Sequence, residues 1–420
     1  MSKIKCVNPS TEEVIGEINV STIGDVENAV NDARDAFKSW KKVPVDEKIN
    51  LMKKFSEALE KEKDVLIKLI MSEVGKPGIE SETEILDSQA TIEYYCKEIK
   101  NIKEKKIGFD SEFFPETEGY VSFEPHGVVG IIMPWNYPLI SPMWFIIPVL
   151  LTGNTIVFKP SEKSLLTAKK LDEIINKIFP KGVFNVVYGD KETGKLLVKQ
   201  PINKLFFTGS IRAARDIKEN IDFVPLAVET GGKDSAIVCE DAEIDLAVKG
   251  VVWGAINNAG QVCTSTEKVY VHEKISKEFI EKVVKEVKKL RPEKDFGPLI
   301  DEEQLKKVEE HVKEAVSKGA DILIGGKIIN RKGFFFEPTV LVNVSEDMKI
   351  IKEETFGPVL PIKTVKSDEE AIELTNNSNY GLGATIWSKN IGKAKKLGEQ
   401  IQVGMIWINE VNVPFSGGDY

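Results

Sequence analysis

Between residues 126 and 231, short strand-like runs alternate with helically patterned stretches, and no other feature limits the fold of this chain so tightly. The runs are VVGIIM, TIVF, FNVVY, KLFF and PLAVE, separated by helical spacing over 141–151, 164–179, 192–199 and 211–220. A short, mostly apolar run is what a strand buried on both faces shows, and each stretch between is long enough for a crossover helix. Five strands so joined predict a doubly wound parallel sheet, with a ligand site at the carboxyl ends of its strands. A second series follows in SAIVC, KVYVH, ADILIGG, PTVLV, PVLPI, ATIWS and GMIWIN, with helical patterns over 244–259, 276–290 and 302–318. It predicts a second α/β unit, which 420 residues accommodate at about 150 per domain. No fixed-period repeat is visible.

Ahead of the first series lies a helical layer. Val26, Ala29, Val30, Ala33, Ala36 and Phe37 recur at helical spacing with Ser21 as cap, so helices are expected to open the chain. One further helix is expected over 46–74, stopped by Gly75-Lys76-Pro77, and another over 81–100, in a layer expected to hold nothing catalytic. Residues 105–124 read instead as a projecting hairpin, from the alternation in GYVSFEP and the turn-prone FDSEFFPETEG. Residues 125–158 lack any charge, but Pro134, Pro138, Pro142 and Pro148 divide them into pieces too short for a membrane span.

A net charge of −9 argues against nucleic acid, whose binding needs a basic face. Only five arginines are present, which leaves few bidentate clamps for a strongly anionic substrate. Four widely spaced cysteines form neither a disulfide framework nor a zinc pattern, so a reducing cytoplasm and no metal are expected. The first 18 residues carry charge throughout, and no signal peptide is expected.

The strand ends of the first sheet gather MPWNYP, FKPSE, YGD, FTGS and AVETGGKDS on one edge. FTGS opens a helix, so the amides of Gly209 and Ser210 could receive a pyrophosphate, although such a pair is more often a simple turn and cap and G-x-G-x-x-G is absent. Lys159 and Glu162 could hold ribose hydroxyls or merely start a solvated helix. Cys263, in NNAGQVCTS, is a nucleophile or an inert small hydrophobe. Glu229 ends a strand beside two glycines that permit close approach of a ligand. With only His126, His272 and His311 present, any base is more readily a carboxylate, and Asn136, in its proline-flanked loop, would make a well-fixed oxyanion donor.

In order, PWNYP, FKPSE, FTGS, ETGGK, GQVC, EETFGPV and NVPFSGG resemble the successive motifs of the aldehyde dehydrogenase superfamily, over nearly the whole chain. The resemblance implies an oxidoreductase that converts a small aldehyde to a carboxylic acid with NAD or NADP. It implies that Cys263, as a thiolate, forms a thiohemiacetal and then a thioester, that Asn136 and the Cys263 N–H hold the oxyanion, and that Glu229 activates the hydrolytic water. Trp135, Lys159, Glu162, Gly209, Ser210, Glu354 and Phe356 would hold the cofactor.

The implied layout is a Rossmann-like cofactor domain (1–105 and 126–231), an oligomerisation hairpin (106–125) and a catalytic domain (232–420) in a homo-oligomer, dimer or tetramer. Succinic semialdehyde and other small aliphatic aldehydes are the candidate substrates. Thr230 stands where the family usually has Leu, and Ala214 where it has Gly. The chain stops at Tyr420, where relatives continue for several dozen residues, and is therefore expected to be a shortened form with impaired assembly or activity. The alternative from another class is a catalytically silent cofactor-binding or assembly remnant.

Overall fold

The structure is a computed structural model that describes residues 2–102, 104–107, 113 and 117–411. It begins with a hairpin, β1 (Lys3–Val7) and β2 (Val14–Asn19), not with a helix. The Asn8 N–H closes on the Glu13 carbonyl at 2.9 Å, so the charged stretch that argued against a leader alternates as a two-stranded ribbon. Helix α1 (Ile23–Trp40) is capped by Thr22, not Ser21. Thr22 and Asp25 form a reciprocal capping box, worth about 1 kcal/mol, while the Ser21 hydroxyl accepts the Tyr188 N–H at 2.9 Å.

The expected helix over 46–74 is two, α2 (Val45–Lys61) and α3 (Lys63–Val74), broken at Glu62. Gly75 closes α3 in the left-handed region, and α4 (Gly78–Glu98) follows. Next come short antiparallel strands β3 (Lys105–Ile107) and β4 (Gly119–Val121), as the hairpin reading expected; the loop between them lies mostly outside the described residues, and so does NVPFSGG.

Strands β5 (Val128–Ile132), β6 (Thr155–Lys159), β7 (Phe184–Val186), β8 (Lys204–Gly209) and β9 (Leu226–Thr230) form one parallel sheet in the order β7-β6-β5-β8-β9. Their crossovers are α5 (Ile140–Leu151), α6 (Leu165–Asn176), α7 (Lys191–Val198) and α8 (Ile211–Asn220). Alternation along β5 feeds two cores: Val129 and Ile131 pack with α2 and α5, whereas Val128 and Ile132 pack with α1, α7 and α8. The sheet is thus doubly wound, and strand order reverses beside β5, where β6 lies on one side and β8 on the other. That switch point opens a crevice at the carboxyl ends of β5 and β8. The uncharged segment makes β5, α5 and β6; α5 contains Pro142 and Pro148, and among the described residues no helix is long and apolar enough to cross a membrane.

A second sheet comprises β10 (Asp234–Val238), β11 (Thr266–His272), β12 (Asp321–Ile324), β13 (Thr339–Val342), β14 (Val359–Val365), β15 (Gly383–Trp387) and β16 (Met405–Ile408). Its order is β12-β13-β14-β11-β10-β15-β16, antiparallel only between β12 and β13, and it contains all seven runs of the second series. The pattern over 244–259 stops early: its helix, α9 (Ile244–Ile256), is followed by a single tight turn, Asn257–Gly260, that leads to Cys263. The long helices of this half are α10 (Glu273–Val287) and α11 (Glu302–Ser317).

Candidate active site

Asn258, Ala259 and Gly260 have φ of 49°, 54° and 73°, three successive left-handed residues that end α9 and aim Cys263 at the crevice. A Cβ on Gly260 would lie 2.2 Å from the Gly357 carbonyl, so glycine is required there. Gln261, fully buried, pins the turn: its side chain donates to the Asn258 and Pro298 carbonyls and accepts the Ile300 N–H at 2.9 Å. The Gln261 carbonyl accepts the Asn136 amide at 3.0 Å, and Asn258 donates to the Asn136 carbonyl at 3.0 Å. One amide hydrogen of Asn136 is committed to this lattice, and its second is left for a ligand.

Cys263 and Asn136 share a cavity of about 570 Å³ with Trp135, Gly209, Ser210, Glu354 and Phe356. Seven of the residues singled out in the sequence are thereby brought together from β5, β8, the turn before β11 and the loop before β14. Three others are not on the wall. Lys159, buried at the end of β6, faces half-exposed Glu162 at 3.5 Å. Glu229 sits on the exposed edge strand β9, although its charge is felt at Cys263.

The Cys263 thiol is pushed up to about 12 by burial and then by the charges of Asp234 and Glu354, against the opposing Thr264 N–H. Burial and the nearby carboxylates therefore oppose the thiolate in the coenzyme-free protein. Burial and the charge of Glu267 raise Glu354 to about 7, and partial desolvation raises Glu229.

The helical layer also reaches the site: α4 supplies Glu80, Glu84 and Asp87 to the same cavity at spacing i, i+4, i+7. Glu84 accepts the Leu139 and Ile140 N–H groups at the start of α5 and pairs with buried Lys76 at 2.6 Å. Lys76 in turn stands 3.4 Å above the Tyr137 ring. Glu80 accepts the Asn258 N–H at 2.9 Å, whereas the Asp87 carboxylate has no hydrogen-bond partner among the described residues. Tyr137, Trp144 and Trp253 line the cavity as well.

A nicotinamide coenzyme fits the other lining groups. Thr208 Oγ1 and Glu354 Oε1 are buried on the wall without partners, which is the state of polar groups that await a polar ligand. Ser210 caps α8 by accepting the Ala213 N–H at 3.2 Å, and the remaining amides of that first turn are open to a phosphate. Gln304 and Lys307 of α11 join the wall. Sequence reasoning had no signal for these two beyond their place on a long amphipathic helix.

The aldehyde dehydrogenase family model matches residues 1–418. The chain belongs to the aldehyde dehydrogenase family. It is 37% identical to betaine aldehyde dehydrogenase 1 of Oryza sativa subsp. japonica, over 97% of this chain and 84% of that one. A chloroplastic aminoaldehyde dehydrogenase of Arabidopsis thaliana is also 37% identical, with 97% and 85% covered. Among solved structures, lactaldehyde dehydrogenase from Escherichia coli superposes with a TM-score of 0.95 at 34% identity, covering 98% of this chain and 88% of that one. Betaine aldehyde dehydrogenase from Staphylococcus aureus in complex with NAD+ gives 0.94 at 32%, covering 98% and 84%. This aldehyde dehydrogenase is accordingly an enzyme that oxidises an aldehyde to an acid with NAD(P)+, and the silent-remnant alternative is not favoured.

Proposed function

We propose that oxidation proceeds through a thioester on Cys263 and that the preferred aldehyde carries a positively charged ammonium group. The observation behind both is that Cys263 shares one cavity with the Asn136 amide and with the carboxylates of α4. Cys263 Sγ bonds to the aldehyde carbon as its proton leaves, and a carboxylate base is needed because the free thiol holds that proton tightly. The remaining Asn136 Nδ2 hydrogen and the Cys263 backbone N–H donate to the carbonyl oxygen as it gains charge. NAD(P)+, held by Trp135, Gly209, Ser210, Glu354 and Phe356, supplies the hydride acceptor when bound. Cys263 then carries an acyl group, and Glu229, with its raised carboxyl, takes the proton of the water that releases the acid. Lys159 and Glu162 contribute from the neighbouring strand end, where a ribose would lie beyond the wall.

The substrate class follows from charge. Asp87, without a partner and raised to about 6 by burial and then by Glu84, is ionised at neutral pH, with Glu80 beside it and Trp144 and Trp253 as aromatic faces. Carboxylates and aromatic rings attract an ammonium and repel the second carboxylate of succinic semialdehyde. The names of the betaine aldehyde and aminoaldehyde dehydrogenases among the relatives support the same reading. Turnover of an ω-aminoaldehyde, betaine aldehyde, butanal and succinic semialdehyde should rank the cations first. Asp87→Asn should lower kcat/KM for the cations about tenfold, or ~1.4 kcal/mol, and leave butanal unchanged. Preference for succinic semialdehyde would refute the charge argument.

The cytoplasmic location and the dimer or tetramer belong to the same proposal. Four free cysteines support the first. Exposed Tyr120, Val121 and Phe123, on and after β4, support the second.

A further inference from the structure

Lys233 and Glu267 form a buried ion pair, each only 3% exposed, at the meeting point of three motifs. Lys233 lies four residues after Glu229 and Glu267 four residues after Cys263, and the pair sits beneath the loop that carries Glu354 and Phe356. Glu267 Oε1 accepts the Phe356 N–H at 2.7 Å and Oε2 accepts the Thr355 N–H at 2.9 Å. Lys233 Nζ donates to Glu267 Oε2 and, at 3.3 Å, to Thr355 Oγ1. Among the described residues the loop is also held by Gln304 Nε2, which donates to the Thr355 and Phe356 carbonyls at 2.9 and 2.8 Å, by the Tyr380 hydroxyl, which accepts the Glu354 N–H at 3.2 Å, and by His311 Nδ1, which lies 3.3 Å from Thr355 Oγ1.

Phe356 needs such a clamp. Its φ is +56°, a left-handed conformation that costs a bulky residue energy and persists only where the surroundings impose it. Two charge-assisted bonds from one carboxylate to consecutive N–H groups impose it directly. The consequence is a Phe356 ring edge-on to Trp135 at 5.8 Å and a Glu354 carboxylate seated against Gly231.

We infer that Glu267 is a positioning residue for coenzyme binding: by holding the Thr355 and Phe356 N–H groups it aims Glu354 and Phe356 into the cavity, and Lys233 supplies the opposite charge that a buried carboxylate requires. The inference rests on the reading that Glu354 and Phe356 face the coenzyme. Glu267 itself is buried and does not line the cavity. It couples the strand that follows the nucleophile to the loop that receives the nicotinamide, so its loss is felt in coenzyme affinity before it is felt in aldehyde binding.

The test is the dissociation constant of NAD+ and NADP+ from quenching of tryptophan fluorescence, measured on the whole protein and on Glu267→Gln. The variant should bind coenzyme about tenfold more weakly, raise the coenzyme KM in parallel, and keep the aldehyde KM within twofold, a split that general loosening would not produce. If Glu267→Gln does not fold, Lys233→Met/Glu267→Gln removes both charges, leaves none unpaired, and gives the same readout. In the unmodified protein the Thr355 and Phe356 amides should resist hydrogen exchange for hours. Coenzyme binding within twofold of the parent in a folded variant, or exchange of those amides within minutes, overturns the inference. A parent protein that binds neither coenzyme overturns the underlying reading with it.

Discussion

Gly231→Ala isolates the placement of Glu354. A Cβ at residue 231 would stand 2.0 Å from Glu354 Oε1 and 2.5 Å from Oε2. Ordinary contact begins near 3.4 Å, so the carboxylate must retreat by about 1.4 Å. Alanine is tolerated by the backbone itself, because Gly231 does not have positive φ. The effect thus falls on the carboxylate. A displacement of about 1 Å in a group that orients the reaction costs on the order of 100-fold in rate, or ~2.7 kcal/mol in the barrier. Overpacking should cost about 1–3 kcal/mol in stability, because the displaced carboxylate has to find room among buried neighbours. Steady-state kinetics with NAD+ and an aldehyde, beside a thermal melt, measure both. Adding Glu354→Ala to the glycine variant should recover stability without recovering kcat/KM, since the obstructed group is also the functional one. A Gly231→Ala enzyme that keeps kcat/KM within threefold would refute the placement of Glu354.

In the free protein, iodoacetamide should label Cys263 slowly at neutral pH and about tenfold faster per pH unit up to pH 10, because the thiol titrates near 12. A plateau near pH 8 would show a poised thiolate instead. Burial first of all raises Glu73, Glu80 and Glu354 to about 7 and Asp234 to about 8. Groups raised on folding add stability that is complete below their unfolded values near 4 and is lost as pH rises through the folded ones. His311, lowered to about 4 by burial, has the opposite slope below pH 6.5 but is a single group. The thermal midpoint should therefore fall between pH 5 and pH 8, and a rising midpoint would contradict these burials.

Both sheets were legible because mostly parallel strands, buried in the main on two faces, leave short apolar-rich runs that stand out from amphipathic crossovers. The N-terminal hairpin was not, because β1 and β2 keep one face in water and read as charged chain. The cap of α1 was misplaced by a residue because Ser21 and Thr22 are both capable, and tertiary bonding to Tyr188 decided between them. Within the site, Cys263, Asn136, Glu354 and Phe356 lie in short loops with recognisable wording. Lys233 stood inside ETGGK, but its partner Glu267 lies in TEKVYVH, where a charge reads as a solvated strand end. Glu80, Glu84 and Asp87 lie on one face of α4, and only the fold reveals that this face closes the cavity.

The central claim is that an acyl group passes through Cys263. Glu229→Gln should slow its release, so intact-mass measurement after mixing with NAD+ and an aldehyde should show the acyl increment, mapped to the peptide that contains Cys263. In Cys263→Ala neither increment nor NADH should appear. Turnover in that variant, or an adduct on another residue, would contradict the account.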